Sequence, residues 1–217
     1  MAMVETNSKR PSNKGGFLQR RRRVNLTAAE RRAQLAREVL EVLLFVGIVI
    51  VIVNVVIQTF LVQDVTMQPL LQPDQRALVN KSAYLFGGPQ RGDVVLVADP
   101  QNPSLLVIRR VIATPGDTIT LTSTSVTVNG YTLNESVYTN IAAGQPENDV
   151  IDTYHLGAGQ YFVMGDNRLQ SATYDSRGFG PVPRSNILGK VIMVFWPLKD
   201  VHWMNTYPSV FSHVPAP

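Results

Sequence analysis

The feature of this sequence that most limits its fold is a run of 22 residues without a charged side chain, from Val42 to Gln63. As a helix, the run would be about 33 Å long, which is enough to cross the hydrocarbon core of a bilayer. Seven arginines lie just before it, namely Arg20, Arg21, Arg22, Arg23, Arg31, Arg32 and Arg37. Positive residues beside a membrane helix are retained on the cytoplasmic side. The sequence therefore predicts a single-pass transmembrane helix over residues 38–63, with the C-terminal part on the outer face of the plasma membrane.

A cleaved signal peptide is the alternative interpretation of a basic segment followed by an apolar run. The run is longer than the roughly 7 to 15 apolar residues of a signal peptide. Residues 63–69, QDVTMQP, also lack the small-x-small pattern of a cleavage site. We therefore expect an uncleaved anchor. The basic residues 1–37 have no apolar periodicity and are expected to form a disordered cytoplasmic tail.

The distribution of charge separates the tail from the rest of the chain. Residues 1–37 contain 10 basic and 2 acidic residues, out of totals of 20 and 16. The remaining 180 residues are therefore acidic, with 10 basic and 14 acidic side chains. This balance argues against a nucleic-acid partner for the folded part, because such proteins carry a positive surface on the folded domain. The lipid bilayer is the expected partner of the basic tail and the apolar helix.

Residue types also exclude several kinds of chemistry. The chain contains no cysteine, which excludes disulfides, thiolate metal sites and a cysteine nucleophile. His155, His202 and His213 lie far apart and show no metal-ligand spacing. No metal and no cofactor are therefore expected.

Beyond residue 63 the sequence changes to short apolar runs separated by Gly, Pro, Asn and Asp, which predicts a mainly β domain over residues 64–200. Asn129-Gly130 is typical of a hairpin turn. Residues 131–158 are interpreted as an irregular insertion or a small lobe, and residues 201–217 as a C-terminal tail. Trp196 and Trp203 are consistent with a core position or a membrane-interface position, and the core is favoured. The predicted strands are 77–80, 93–98, 105–113, 118–122, 125–128, 161–164 and 190–195, arranged as a barrel or as packed sheets.

Three segments occur in a recognisable order behind the apolar run. They are VTMQP at residues 65–69, IRRVIATPGD at residues 108–117, and GDNR at residues 165–168 followed by DSRGFG at residues 175–180. In this order the segments resemble the type I signal peptidases, and the resemblance covers roughly residues 38–198. It implies a membrane-anchored, mainly β outer domain that removes signal peptides from secreted precursors. In that family a serine hydroxyl attacks after a neutral lysine takes its proton.

The two residues that match the family's catalytic pair are altered. Thr66 stands at the serine position, where a threonine hydroxyl can still act as a nucleophile. Arg109 stands at the lysine position, and a guanidinium stays protonated in proteins and cannot accept the proton. No lysine occurs between Lys81 and Lys190 to replace it.

Two further positions bear on catalysis. Asp64 stands where the family has Gly or Ser on the oxyanion side, and a carboxylate there would repel developing negative charge. A pairing of Asp64 with Arg109 would turn the reactive centre into a structural ion pair. Ser171 matches the serine that orients the family's lysine, although a longer spacer separates it from Asp175.

The remaining motif residues are interpreted as scaffold. The resemblance implies that Arg110 and Asp166 form a structural salt bridge and that Asp175 with Arg177 supports the fold. The complete set of structural motif residues is Met67, Pro69, Arg110, Gly165, Asp166, Asn167, Arg168, Asp175, Ser176 and Arg177.

Two functions stay open at this point. The first is a signal peptidase in which Thr66 attacks with help from an unidentified base or an activated water. The second is a catalytically inactive relative that binds signal peptides or other membrane-inserted segments, or that supports an active paralogue. The nucleophile and the base act as a unit, and their loss removes most of the catalytic rate. The replacement of both the serine and the lysine therefore favours the second function.

Overall fold

The computed structural model describes residues 28–141, 151–169 and 174–217. The chain divides into two compact units, residues 1–47 and residues 48–217. The described part of the first unit belongs to helix α1, Ala28–Val56, which continues into the second unit. The predicted tail lies outside the described residues up to residue 27. The second unit contains every strand of the described chain.

Helix α1 is long and apolar enough, between Arg31 and Val56, to cross a membrane. It ends earlier than the predicted boundary at residue 63, because residues 57–61 form strand β1. The sequence of β1 is IQTFL, and its β-branched and aromatic residues favour a strand. Each of its residues pairs with β2 (Arg76–Asn80), from Ile57 opposite Asn80 to Leu61 opposite Arg76. Hydrophobicity alone cannot separate such a strand from the end of a helix.

The second unit is mainly β, as the sequence predicts. An eight-stranded antiparallel sheet has the order β1-β2-β11-β3-β4-β9-β10, with β12 paired to β11. Its remaining strands are β3 (Val94–Ala98), β4 (Leu106–Ala113), β9 (Gln160–Met164), β10 (Val182–Pro183), β11 (Ile187–Trp196) and β12 (His202–Trp203). A four-stranded sheet has the order β7-β6-β5-β8, with β5 (Thr118–Thr122), β6 (Ser125–Val128), β7 (Tyr131–Thr132) and β8 (Asp152–His155).

The large sheet is buried on both faces at its centre. Val94 and Leu96 of β3 pack into one apolar cluster with Met67 and Ile108. Val95 and Val97 point to the opposite face and pack with Val111 and its neighbours in a second cluster. Side chains alternate between the faces of a strand, so a continuous apolar run such as VVLVA fits a strand covered on both sides.

The small sheet has its own core, to which residues 131–158 contribute. Leu133, Tyr138 and Leu156 are buried there, so the described part of this segment is not only an irregular insertion. Residues 142–150 lie outside the described residues. The sequence left an insertion and a small lobe both open for this segment, because its strands are short and its apolar residues are widely spaced. Asn129 and Gly130 have positive φ angles and form the predicted turn between β6 and β7.

The C-terminal segment differs from its prediction in two ways. Helix α3, Pro208–Phe211, packs Val210 and Phe211 into the small sheet's core, so residues 201–217 are more than a tail. Trp196 and Trp203 are 51% and 72% exposed, so the favoured core position for them was wrong. Trp196 ends β11 and Trp203 lies in the two-residue strand β12, where the described chain places no further layer over them.

A buried ion pair of the large sheet lies against the core of the small sheet. Arg110 of β4 donates through Nε and Nη2 to the carboxylate of Asp166 at 2.8 and 2.6 Å. Its guanidinium lies 4.7 Å from the ring centroid of Tyr138 in the small sheet's core. Arg110 and Asp166 are both completely buried.

Replacing Arg110 with alanine should therefore lower the free energy of unfolding by about 3–5 kcal/mol, because Asp166 would remain buried without its partner. Urea unfolding of the detergent-solubilised protein, followed by circular dichroism, would measure the loss. Arg76→Ala is the matched control on an exposed side chain of β2 and should leave the unfolding curve nearly unchanged. Equal curves for the two variants would contradict the structural role of Arg110.

Candidate active site

The loop that follows β1 carries Thr66, and the loop that follows β9 holds it in place. The backbone N–H of Asn167 donates to the carbonyl of Thr66 at 2.9 Å, and the Asn167 side chain donates to the carbonyl of Val65 at 3.0 Å. A Cβ on Gly165 would lie 2.5 Å from the carbonyl oxygen of Thr66, so only glycine allows this approach. The motifs around residues 66 and 165 are therefore parts of one site.

The hydroxyl of Thr66 lies between a cation and an anion. Arg109 Nη1 donates to Thr66 Oγ1 at 2.6 Å, and Oγ1 is 2.6 Å from Asp64 Oδ1, to which it donates. Asp64 Oδ1 also accepts from the Thr66 N–H at 3.1 Å. Arg109 Nη1 and Asp64 Oδ2 are 3.8 Å apart and form an ion pair. The sequence positions that match the catalytic pair thus meet in space, with Asp64 as a third member.

Arg109 is completely buried in β4 and every nitrogen of its guanidinium has a partner. Nε and Nη2 donate to the carbonyl of Tyr174, and Nη1 also donates to the carbonyl of Ile108. Burial lowers the pKa of Arg109 below its usual value, and the nearby charges of Asp175 and Asp64 oppose that shift. A guanidinium keeps its proton in proteins even so, and it therefore acts here as a donor.

The chemical consequence concerns the hydroxyl proton. In the described chain, Asp64 accepts the hydrogen bond from the Thr66 hydroxyl. Arg109, at the family's base position, instead donates a hydrogen bond to that hydroxyl. A carboxylate is a far weaker base than a neutral amine, by about six pK units between model Asp and Lys. The cation next to Oγ1 also withdraws electron density from the oxygen that would attack.

Asp175 anchors the third motif behind this site. Its carboxylate accepts from the Gly165 N–H at 2.9 Å and from Nε and Nη2 of Arg177 at 3.0 and 2.8 Å. It also caps the short helix α2, Ser176–Phe179. Burial disfavours the charged carboxylate, but the bonds from Arg177 and Gly165 outweigh it and hold the pKa of Asp175 below its usual value. Asp175 therefore couples α2 to the glycine that supports Thr66.

Two neighbouring residues of the motif have partners that the sequence did not indicate. Arg168 forms a paired contact with the buried carboxylate of Glu135, at 2.8 and 2.6 Å. Asn140 donates to the side chain of Asn167 at 2.7 Å. Glu135 and Asn140 belong to the segment interpreted as an insertion or a small lobe, and no sequence signal indicated that Glu135 is buried or that Asn140 contacts the motif. Ser171 lies outside the described residues.

The other motif residues act in packing. Met67 is buried between the site and the apolar cluster of the large sheet, and Ser176 Oγ accepts from the Val163 N–H at 3.0 Å. Pro69 follows Gln68 through a cis peptide bond and is exposed.

Within the described ranges, no group of three or more His, Asp or Glu side chains could hold a metal ion.

A small pocket lies beside Asp64. It has a volume of about 130 Å³ and lies between the end of β1 and the start of β4. Its walls are mostly apolar, and Asp64 stands at its side. In the described sheet, the first half of β4 pairs with β3 alone, because the pairing of β4 with β9 begins at Arg110. The lining residues are Phe60, Val62, Gln63, Asp64, Met67, Leu105, Leu106, Val107 and Ile108.

Several known proteins are similar to this chain in sequence. The family model of signal peptidase, peptidase S26, matches residues 35–196. Signal peptidase I of Leptolyngbya laminosa is 36% identical over 66% of this chain and 71% of its own length. Signal peptidase I V of Bacillus subtilis is 35% identical over 64% of this chain and 85% of its own length. A crystal structure of a signal peptidase I from Enterococcus faecalis is 29% identical and covers 47% of this chain and 95% of that chain, with a TM-score of 0.40.

The chain belongs to the signal peptidase I family.

The lowered pKa of Asp175 makes a prediction about acid stability. A carboxylate with a lowered folded-state pKa stabilises the fold above its unfolded value, near pH 3.9, and this contribution is lost as the pH falls through the folded value. Asp175→Asn should therefore be much less stable than the natural chain at pH 7, with a difference that shrinks below about pH 4.

Urea midpoints at several pH values would measure this difference. Asp74→Asn is the control, since Asp74 is exposed and its positive φ of 67° also suits asparagine. A constant difference between Asp175→Asn and the natural chain from pH 7 to pH 3 would contradict the prediction.

Proposed function

We propose that this signal peptidase I homologue binds signal peptides or similar membrane-inserted segments at the membrane surface without cleaving them by the family's Ser/Lys mechanism. The observation that carries the proposal is the 2.6 Å bond from the buried Arg109 guanidinium to Thr66 Oγ1. A group that permanently donates to the nucleophile position cannot remove its proton.

The environment of Arg109 supports this proposal. A catalytic lysine works as a base because burial leaves it neutral near pH 7. The same burial acts on Arg109, but its guanidinium makes four hydrogen bonds, to the carbonyls of Tyr174 and Ile108 and to the Thr66 hydroxyl. These contacts stabilise a cation in the fold. Asp64 adds an opposite charge, as expected of an ion pair with a structural role.

The pocket and the first half of β4 support the proposed binding of a peptide. The 130 Å³ pocket is of a size that takes a small apolar side chain, and its walls come from the end of β1 with the loop after it and from the start of β4. The first half of β4 offers backbone groups to an extended peptide, since β3 is its only strand partner in the described chain. Addition of a peptide strand at such an edge gives affinity through main-chain hydrogen bonds, and side-chain pockets give specificity.

The place of action in this proposal is the outer surface of the plasma membrane. Helix α1 serves as the anchor, and the arginines before it keep the N-terminus cytoplasmic. The bound segments would then reach the site from the same bilayer. An active paralogue in the same membrane is the natural recipient of segments that this protein holds.

One contact favours a second candidate function, which is slow hydrolysis with Asp64 as the base. Thr66 Oγ1 donates to Asp64 Oδ1 at 2.6 Å, within the range in which a base takes a proton from a nucleophile. Arg109 would then stabilise negative charge near the reacting atoms. This activity would depend on Thr66 and Asp64 and would not require a lysine.

Incubation of the detergent-solubilised full chain with a precursor peptide that has a small-x-small site would test the main proposal. We expect binding without cleavage. Gln63→Trp should weaken binding by about tenfold, which corresponds to about 1.4 kcal/mol, because the indole would fill the pocket. Thr124→Trp, on an exposed turn between β5 and β6, is the control of equal size and should bind normally. Equal affinities of the two variants would contradict the proposed peptide site.

The double variant Thr66→Ser with Arg109→Lys separates the two functions. Cleavage by the double variant but not by the natural chain would support an intact groove with a lost catalytic pair. Cleavage by the natural chain that disappears in both Thr66→Ala and Asp64→Asn would establish the second candidate and overturn the first.

A further inference from the structure

The carboxylate of Asp64 occupies a set of donors beside the small pocket. Its Oδ1 accepts from the backbone N–H of Thr66 at 3.1 Å and from the Thr66 hydroxyl at 2.6 Å. Its Oδ2 lies 3.8 Å from Nη1 of Arg109. Hydrogen bonds and a guanidinium charge of this kind are the strong contacts by which proteins bind carboxylates. The Thr66 N–H, the Thr66 hydroxyl and Arg109 Nη1 thus form a carboxylate cradle.

The cradle is part of the fold, whereas its occupant reaches the surface. Arg109 is completely buried and Thr66 is 6% exposed. The Thr66 carbonyl also accepts from the N–H of Asn167, which holds the loop in place. The side chain of Asp64, in contrast, is 44% exposed. A short carboxylate side chain at the surface can rotate into water, where its charge is solvated. The cradle would then be open to another group.

An open cradle favours an anion. Arg109 keeps its positive charge in the interior, and a buried charge without a partner is costly. Within the described ranges, Asp64 is the only carboxylate that forms an ion pair with Arg109. Asp175 and Asp99 act on Arg109 through longer-range charge, and the carboxylate of Asp175 is bound by Arg177. A group that displaces Asp64 should therefore bring a negative charge of its own.

The pocket indicates which kind of group brings this charge. Asp64 forms part of the pocket wall together with the apolar side chains of Phe60, Met67 and Ile108. In the last residue of a peptide, the side chain and the α-carboxylate are attached to the same Cα atom. A small side chain in the pocket therefore leaves the α-carboxylate close to Asp64. In a peptide that continues, the group at this point is a neutral amide, which offers Arg109 no charge.

We propose that the site binds the free C-terminal carboxylate of a peptide that ends in a small residue, and that this carboxylate replaces Asp64 in the cradle. The inference rests on the proposed function and names its ligand class, which is a peptide that ends at the site rather than one that passes through it. Hydrolysis of a membrane-inserted segment after a small residue is the class of reaction that supplies such a peptide. Without this ligand, Asp64 keeps its place in the cradle. Arg109 acquires a binding role, because a guanidinium retains the charge that a carboxylate needs.

Three fluorescein-labelled peptides test the inference on the detergent-solubilised full chain at pH 7, with fluorescence anisotropy as the readout. The first peptide ends in Ala-Gln-Ala with a free carboxylate. The second ends in the same residues as an amide and carries one glutamate at its N-terminal end, so that both peptides have the same charge. The third also carries this glutamate, continues beyond the same residues with several neutral residues and ends as an amide.

We expect the free-acid peptide to bind at least about tenfold more tightly than the other two, because hydrogen bonds to charged groups are stronger than those between neutral groups. Equal affinities for the free acid and the amide would overturn this inference and leave the proposed function intact. Tighter binding of the continuing peptide would have the same meaning. No binding of any of the three peptides would overturn the proposed function and the inference together.

Two asparagine variants test the replacement of Asp64. Asp64→Asn removes the internal charge and keeps the size of the side chain, so it should bind the free-acid peptide about tenfold more tightly than the natural chain does. Asp152→Asn makes the same change of net charge at an exposed position of β8 and should bind like the natural chain. Equal free-acid affinities of these two variants would overturn the inference.

Arg109→Gln tests the role of the guanidinium charge, because glutamine keeps a donor and loses the charge. We expect this variant to bind the free acid and the amide with similar affinities. A preference for the free acid that survives in Arg109→Gln would place the carboxylate elsewhere and overturn the inference. The comparison of the two asparagine variants does not depend on the folding of Arg109→Gln, so it decides the question by itself if that variant fails to fold.

Discussion

Two arginines side by side in one buried strand impose the central constraint on this fold. Arg109 and Arg110 are both completely buried in β4, and neighbouring residues of a strand point to opposite faces. Each face must therefore supply an acceptor for a guanidinium. Asp166 and the aromatic rings of the small sheet's core serve Arg110, while Thr66, Tyr174 and Asp64 serve Arg109. These contacts of the two guanidinium groups hold the Thr66 loop and the small sheet's core against the large sheet.

The reactive centre follows from that constraint. A lysine has one nitrogen and can lose its charge, whereas an arginine has three nitrogens and keeps it. Arg109 therefore needs more acceptors than a lysine at the same position, and it finds them in main-chain carbonyls around the site. The carboxylate of Asp64 completes the arrangement with an opposite charge. The residues at positions 64, 66 and 109 thus complement one another in charge and hydrogen bonding. Together they favour a hydrogen-bonded group that keeps one arrangement.

Much of this arrangement was accessible from the sequence. The longer strands and the Asn129-Gly130 turn followed from local residue patterns, and the motif order placed Thr66 and Arg109 in one site. The end of α1 was not predictable, because Ile57 to Leu61 continue the uncharged run of the helix and become a strand only through pairing with β2. The roles of Glu135 and Asn140 were equally hidden, since only tertiary contacts bring them to Arg168 and Asn167. Long-range pairing of polar groups leaves no periodic signal.

The direct passage from α1 into β1 has a geometric meaning for peptides that share the membrane. No linker separates Val56 from Ile57, and eight residues lead from the helix end to Asp64. Even fully extended, this distance is at most about 27 Å. Under the proposed function, this short connection limits how far from the bilayer a bound segment can be held. A peptide leaving the membrane beside α1 needs only a short extended stretch to reach the pocket, and a segment with a long exposed spacer gains nothing from the anchor.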